Sequence, residues 1–126
     1  MGKNKLLGAY GEDTACKYLE NSGYRVLERN FSCRTGEIDI IAAQGDTIVF
    51  IEVKTRTSDR FGMPSEAVST SKQQKLVKTA LFYMQSRKLF DYMSRFDVLE
   101  VFVDEDLGSR VNLIKDAFQY SGRYGY

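Results

Sequence analysis

Four consecutive residues, Ile48-Val49-Phe50-Ile51, are apolar on both side-chain parities, and they end in a charged stretch, Glu52-Val53-Lys54. A strand with one wet face alternates apolar and polar side chains, so a run without alternation is expected to be covered on both faces. This predicts a central strand over residues 47–54 with layers packed above and below it. Gly45-Asp46 just before it suits a tight turn, and Gly36 opens an apolar strand that ends near Ala43. The two strands then form an antiparallel hairpin.

The flanking segments supply the layers. Glu12, Ala15, Cys16 and Leu19 repeat at helical spacing within a predicted helix over 6–21, which stops at Gly23. Residues 24–29 read as a short strand and 30–35 as a polar loop. After a polar loop over 55–63, Ser71 and Gln74 fit a capping box. Leu76, Val77, Ala80, Leu81 and Met84 then make an apolar stripe on a helix over 72–88. Strands are expected over 96–103 and 110–114, joined by a turn at 104–109. A strand, a long helix and another strand imply a crossover and a parallel pair, whereas the hairpin is antiparallel. The expectation is an α/β domain with a central mixed β-sheet flanked by helices, in the order αβββαββ.

At 126 residues the chain has the size of one domain. Residues 1–7 and 120–126 are expected to be flexible ends. The last of these, rich in Tyr and Gly, offers rings for stacking on unpaired bases or simply frays. No apolar run is long enough to span a membrane, and Met1 to Leu6 carries no apolar signal core, so a cytoplasmic location is expected. The chain has no histidine, which excludes Ser-His-Asp and Cys-His chemistry and any imidazole-based zinc site. Its two cysteines, Cys16 and Cys33, are read as free thiols. Any catalysis must therefore rest on carboxylates, lysine, arginine, hydroxyls or an oxygen-bound metal.

Charge is nearly balanced, with 18 basic and 17 acidic residues, but it is unevenly spread. Residues 67–90 carry Lys72, Lys75, Lys78, Arg87 and Lys88 and no acid. Such an element is either a phosphate-facing surface or a solvated helix face. The hairpin holds the more specific signal. If Gly45-Asp46 is a two-residue loop, Gln44 faces Thr47, Asp39 faces Glu52 and Glu37 faces Lys54. Alternation then gathers all four charges on one face, where two opposed carboxylates repel each other. A divalent cation would offset that repulsion, since Mg²⁺ takes one or two protein carboxylates together with water and phosphate oxygens. The alternative is ordinary edge-strand polarity. Lys54, beside the acids, is held in its charged form by them, which suits it to positioning rather than to proton abstraction.

Gly36-Glu37-Ile38-Asp39-Ile40-Ile41 followed by Val49-Phe50-Ile51-Glu52-Val53-Lys54-Thr55-Arg56 resembles the Asp…Glu-x-Lys signature of the restriction-endonuclease-like, or PD-(D/E)xK, nucleases. More narrowly, the chain resembles their YraN-like branch, related to archaeal Holliday-junction resolvases. The likeness takes in Gly11-Glu12 opening the first helix, residues 21–30, Phe61-Gly62, Pro64 with Glu66-Ala67-Val68, Lys72-Gln73 and Arg95-Phe96-Asp97-Val98, and it spans residues 8–103.

The resemblance implies a single nuclease-like domain that hydrolyses DNA phosphodiester bonds with Mg²⁺ or Mn²⁺, branched or damaged DNA being the suggested substrates. The products would be a 5′-phosphate and a 3′-hydroxyl. The alternative is a nucleic-acid-binding module that keeps the fold without cutting. Asp39, Glu52 and the main-chain carbonyl of Val53 would hold the metal. Glu12 would complete the shell, directly or through water, or serve only as a capping or surface glutamate. Lys54 would align the hydrolytic water. Arg56, Arg60, Lys72, Gln73, Lys75 and Lys78 would meet nucleic acid, and relatives suggest a homodimer. Glu37 is left between pairing with Lys54 or Arg56 and a ligand role. Asp97 is read as structural.

Overall fold

Each apolar parity of the central strand finds its own layer. In the computed structural model, which describes residues 2–63, 67–106 and 108–119 with side chains from Leu7 onward, Val49 and Ile51 pack with Ala15, Cys16 and Leu19 of helix α1 (Gly2–Asn21). Ile48 and Phe50 pack on the other side, with Leu76, Ala80, Tyr83 and Met84 of helix α2 (Thr70–Ser86). Between the helices lies a five-stranded sheet of β1 (Arg25–Cys33), β2 (Gly36–Gln44), β3 (Thr47–Thr57), β4 (Met93–Val103) and β5 (Ser109–Ile114). The strands follow one another across the sheet in chain order, with β3 at the centre. The β3–β4 pair is parallel and every other pair antiparallel, so the sheet is mixed and the order is αβββαββ, as expected.

Several boundaries move. Helix α1 starts at Gly2 rather than residue 6, which takes in residues expected as a free end, and Leu7 and Tyr10 extend its packing against the core. Gly11-Glu12 accordingly sits in mid-helix and does not open it. Strand β1 runs on to Cys33, through the stretch expected to be a loop. That stretch is irregular nonetheless, because Asn30 adopts a φ of 53°, a left-handed conformation that asparagine tolerates better than most residues. Strand β3 continues to Thr57, followed by a short 3₁₀ turn at Ser58–Arg60. Helix α2 begins two residues earlier than expected and ends at Ser86, because Ser69, not Ser71, caps it by accepting the Lys72 N–H at 3.2 Å. Strand β4 likewise starts earlier, at Met93 beside Thr47. Pro64, Glu66 and the 120–126 tail lie outside the described residues. Among the described residues, no helix is long and apolar enough to cross a membrane.

The seat of α1 on β3 depends on a missing side chain. A β-carbon at Gly11 would stand 2.0 Å from Thr55 Oγ1 and 3.1 Å from its Cβ, far inside van der Waals contact. Glycine at this position lets the helix approach closely enough to bring its neighbour Glu12 over the sheet. Gly11→Ala should therefore lower the unfolding free energy in urea by about 1–3 kcal/mol, the usual cost of overpacking. Adding Thr55→Ala should recover part of that loss; an unchanged midpoint for Gly11→Ala alone would contradict the close approach.

Candidate functional site

The register expected for the hairpin holds from Gln44–Thr47 to Ile40–Ile51 and stops there. Asp39 and Glu52 would be the next pair, but they do not join the ladder. Asp39 is also absent from the β1–β2 ladder, whose pairs Arg29–Ile40 and Phe31–Ile38 would set it opposite the left-handed Asn30. Ile38 packs in the α2-side cluster and Ile40 in the α1-side cluster, although residues two apart on a regular strand share a face. Strict alternation thus breaks at Asp39. Its carboxylate turns toward β3 and accepts the main-chain N–H of Val53 at 2.8 Å. Because a strand residue's N–H and C=O point to the same side, the Val53 carbonyl is aimed toward Asp39 as well.

Two further acids, Glu52 and Glu12, act electrostatically on Asp39 at this break. Asp39 is only partly exposed, and its pKa is pushed up from the ordinary 3.8 to about 7. Burial contributes most, the Val53 N–H pulls the other way, and the carboxylates of Glu52 and Glu12 add to the rise. Glu52 lies on β3 with its side chain 14% exposed, 3.3 Å from the ammonium of Lys72. Glu12 reaches over from α1 and stands 3.7 Å from Arg29, which also holds Asp13 at 2.8 Å. Lys54 is half-buried on β3 and, among the described residues, forms no ion pair. Glu37 departs from the expectation: it is exposed opposite Ser32, outside the break, and makes no ion pair among the described residues.

Carboxylate and carbonyl oxygens are the donors at this break, and such oxygens suit a hard cation. No group of three or more carboxylate or thiol side chains close enough to hold a metal ion occurs among the described residues. That argues against a closed cage of the zinc or calcium type. Mg²⁺ asks for less, one or two carboxylates with waters and substrate oxygens filling the remaining positions. Asp39, Glu52 and the Val53 carbonyl could answer that description; burial is the main cause of the raised Asp39 pKa, and the smaller contributions of the Glu52 and Glu12 carboxylates are the part a cation would relieve. Glu12, drawn toward Arg29, would reach such an ion through water.

Of the residues expected to meet nucleic acid, Lys75 and Lys78 are exposed on α2, and Arg60 is exposed on the 3₁₀ turn. Arg56 and Gln73 make hydrogen bonds that brace the fold. The Arg56 guanidinium donates to Glu100 Oε2 at 3.0 Å, and Glu100, 3% exposed, also accepts from Asn112 at 3.0 Å. The Gln73 side chain donates to the Val68 carbonyl at 2.8 Å and braces the entry to α2. Asp97 is structural, as expected: it accepts two N–H groups from Arg95 and the main-chain N–H of Asp116. Arg29 and the Lys72–Glu52 pair carry no sequence signal of their own. A cavity of about 540 Å³ lies elsewhere, between α2 and the start of β4 against Leu81, Met84, Met93 and Phe96. None of the three acids lines it.

The profile of UPF0102, described as an uncharacterised protein family, matches residues 11–101. The chain belongs to this family. A UPF0102 protein of Syntrophus aciditrophicus is 52% identical over 119 residues, covering 94% of this chain and 93% of its own. One from Clostridium kluyveri is 51% identical over 118 residues, covering 92% and 96%. One from Caldicellulosiruptor saccharolyticus is 49% identical over 119 residues, covering 94% and 100%. Among solved structures, Pyrococcus furiosus SfsA in complex with Ca²⁺ aligns at a TM-score of 0.41 and 16% identity, over 89% of this chain and 62% of that one. The matched UPF0102 segment contains the whole acidic group, from Glu12 to Glu52, with Lys54 and Lys72.

Asp39 also gives this UPF0102 chain a pH signature. Its pKa is higher in the folded state than in the unfolded chain, so the folded protein holds the extra proton. The stability this confers is present at low pH and is lost as the pH rises from about 4 through about 7. In EDTA, the melting temperature of the wild type should fall relative to Asp39→Asn between pH 5 and pH 8. Parallel profiles for the two proteins would contradict the raised pKa.

Proposed function

We propose that the protein is a Mg²⁺-dependent endonuclease of the restriction-endonuclease-like, PD-(D/E)xK type, acting on DNA. The observation that carries this reading is the break at Asp39, where a carboxylate leaves both ladders, accepts the Val53 N–H and feels the charges of Glu52 and Glu12. A structural charge network has no need of such an arrangement, because repelling acids at the centre of a sheet weaken it. Asp39, Glu52 and the main-chain carbonyl of Val53 would hold the ion, with Glu12 completing its shell directly or through water. When bound, Mg²⁺ supplies Lewis acidity and makes water a better nucleophile near neutral pH.

The remaining chemistry falls to the chain's own side chains. Lys54 orients the attacking water and offsets negative charge growing on the phosphate. The exposed Lys75 and Lys78 of α2 and Arg60 beyond β3 steer the backbone toward the acids. Arg56 acts indirectly, by fixing β3 to β4 through Glu100. Branched or damaged DNA is the favoured substrate class, and a homodimer the favoured assembly, since two cuts across a junction call for two sites.

One observation favours a second reading, a module that binds nucleic acid without cutting it. Lys72 and Arg29 already face Glu52 and Glu12, so part of the acidic charge is countered without a metal. Cleavage assays on branched, single-stranded and linear duplex DNA in Mg²⁺, Mn²⁺ or Ca²⁺ separate the two. The nuclease reading expects Mg²⁺- or Mn²⁺-dependent cutting that falls about 100-fold or more in Asp39→Ala and in Lys54→Ala. Salt-sensitive binding with no cutting in any metal would contradict it and support the module.

A further inference from the structure

Lys72 stands in the first turn of α2, and no acidic residue shares that turn. A helix start carries partial positive charge, so a lysine there is disfavoured unless an anion approaches it. In this structure the anion is Glu52, 3.3 Å away. The two partners differ in freedom. Glu52 is fixed on the central strand with its side chain 14% exposed, whereas Lys72 is 54% exposed at the end of a flexible four-carbon stem. The carboxylate stays in place and the ammonium can leave.

A divalent cation held by Asp39 and Glu52 would share with Lys72 the one Glu52 carboxylate that Lys72 now faces. An ammonium and a divalent ion within contact distance of one carboxylate repel each other strongly in a partly buried setting. We propose, on the metal-dependent reading above, that Lys72 is the resident counter-ion of Glu52. It yields this carboxylate when the divalent cation binds and turns to a phosphate of the substrate. The displaced lysine stays tethered beside the site, where the anion within reach is the nucleic-acid backbone. Lys72 therefore opposes the metal while the protein is alone and assists DNA once the metal is in place, which couples the two binding events through one side chain. A plain phosphate-contacting lysine would leave metal affinity untouched.

Lys72→Met keeps the apolar stem and removes the charge, Lys72→Arg keeps the charge, and Lys17→Met removes an exposed charge from α1. Mn²⁺ affinity measured by calorimetry without DNA should rise roughly fivefold in Lys72→Met. It should stay at the wild-type value in Lys72→Arg and Lys17→Met. Fluorescence anisotropy in Ca²⁺ should show Lys72→Met binding a duplex oligonucleotide more weakly than wild type does. Wild-type or weaker Mn²⁺ affinity in Lys72→Met, with the wild type itself binding Mn²⁺, would overturn this role and leave the nuclease reading intact. Tighter Mn²⁺ binding with unchanged DNA affinity would overturn the hand-over to phosphate. If neither protein binds Mn²⁺, the counter-ion role and the metal-dependent reading fall together.

Discussion

A single hydrogen bond, from the Val53 N–H to the Asp39 carboxylate at 2.8 Å, replaces main-chain pairing at the point where β2 and β3 part. A main-chain donor left unpaired there would carry a desolvation cost of about 1–3 kcal/mol. The Asp39 side chain removes that cost by taking the place of the next rung. The same bond fixes the carboxylate in the gap between strands, close to the carbonyl of the residue it binds. Asn30, in a left-handed conformation on the other side of β2, lets β1 accommodate the irregularity. Structure and chemistry are joined here, because the sheet can open only if Asp39 bridges it, and opening the sheet is what exposes the carboxylate.

Around this bridge the charges are arranged in opposition. Burial and the nearby carboxylates hold Asp39 partly protonated near neutral pH, while Arg29 and Lys72 temper Glu12 and Glu52 from opposite helices or strands. The two helices bring different partners because each packs on its own side of β3. Gly11 sets the approach of α1 and hence of Glu12, and the Ser69 cap sets the start of α2 and hence of Lys72. Farther along the sheet, the Arg56–Glu100–Asn112 group ties β3 to its parallel neighbour and to β5.

Much of this was legible in the sequence, for identifiable reasons. Ile48-Val49-Phe50-Ile51 has no polar parity, so a central strand between two layers follows from it directly. The Gly45-Asp46 turn fixes the hairpin register, which holds down to Ile40–Ile51. What escaped was the place where the pattern fails. Alternation assumes a continuous ladder, and nothing in the residue types of Glu37-Ile38-Asp39 says that the ladder stops, so Glu37 was grouped with the acids although it lies outside the break. The partners of Arg56 and Glu52 escaped for another reason. Both lie across the crossover, Glu100 being on β4 and Lys72 on α2, and a crossover leaves the register between its ends unspecified by local pattern. The start of α2 is not fixed by local pattern, because Ser69 and Ser71 are both able caps, and Ser69 is the one that accepts the Lys72 N–H.

The proposal that Asp39 helps to hold a divalent cation is tested most directly by calorimetric titration of the protein with Mn²⁺ at pH 7, repeated in two buffers of different ionisation enthalpy. With Asp39 near pKa 7, each ion bound should release about half a proton, and Asp39→Asn should release none and bind more weakly. Binding of Mn²⁺ with equal heats in both buffers, or with equal affinity in Asp39→Asn, would contradict a metal held at Asp39.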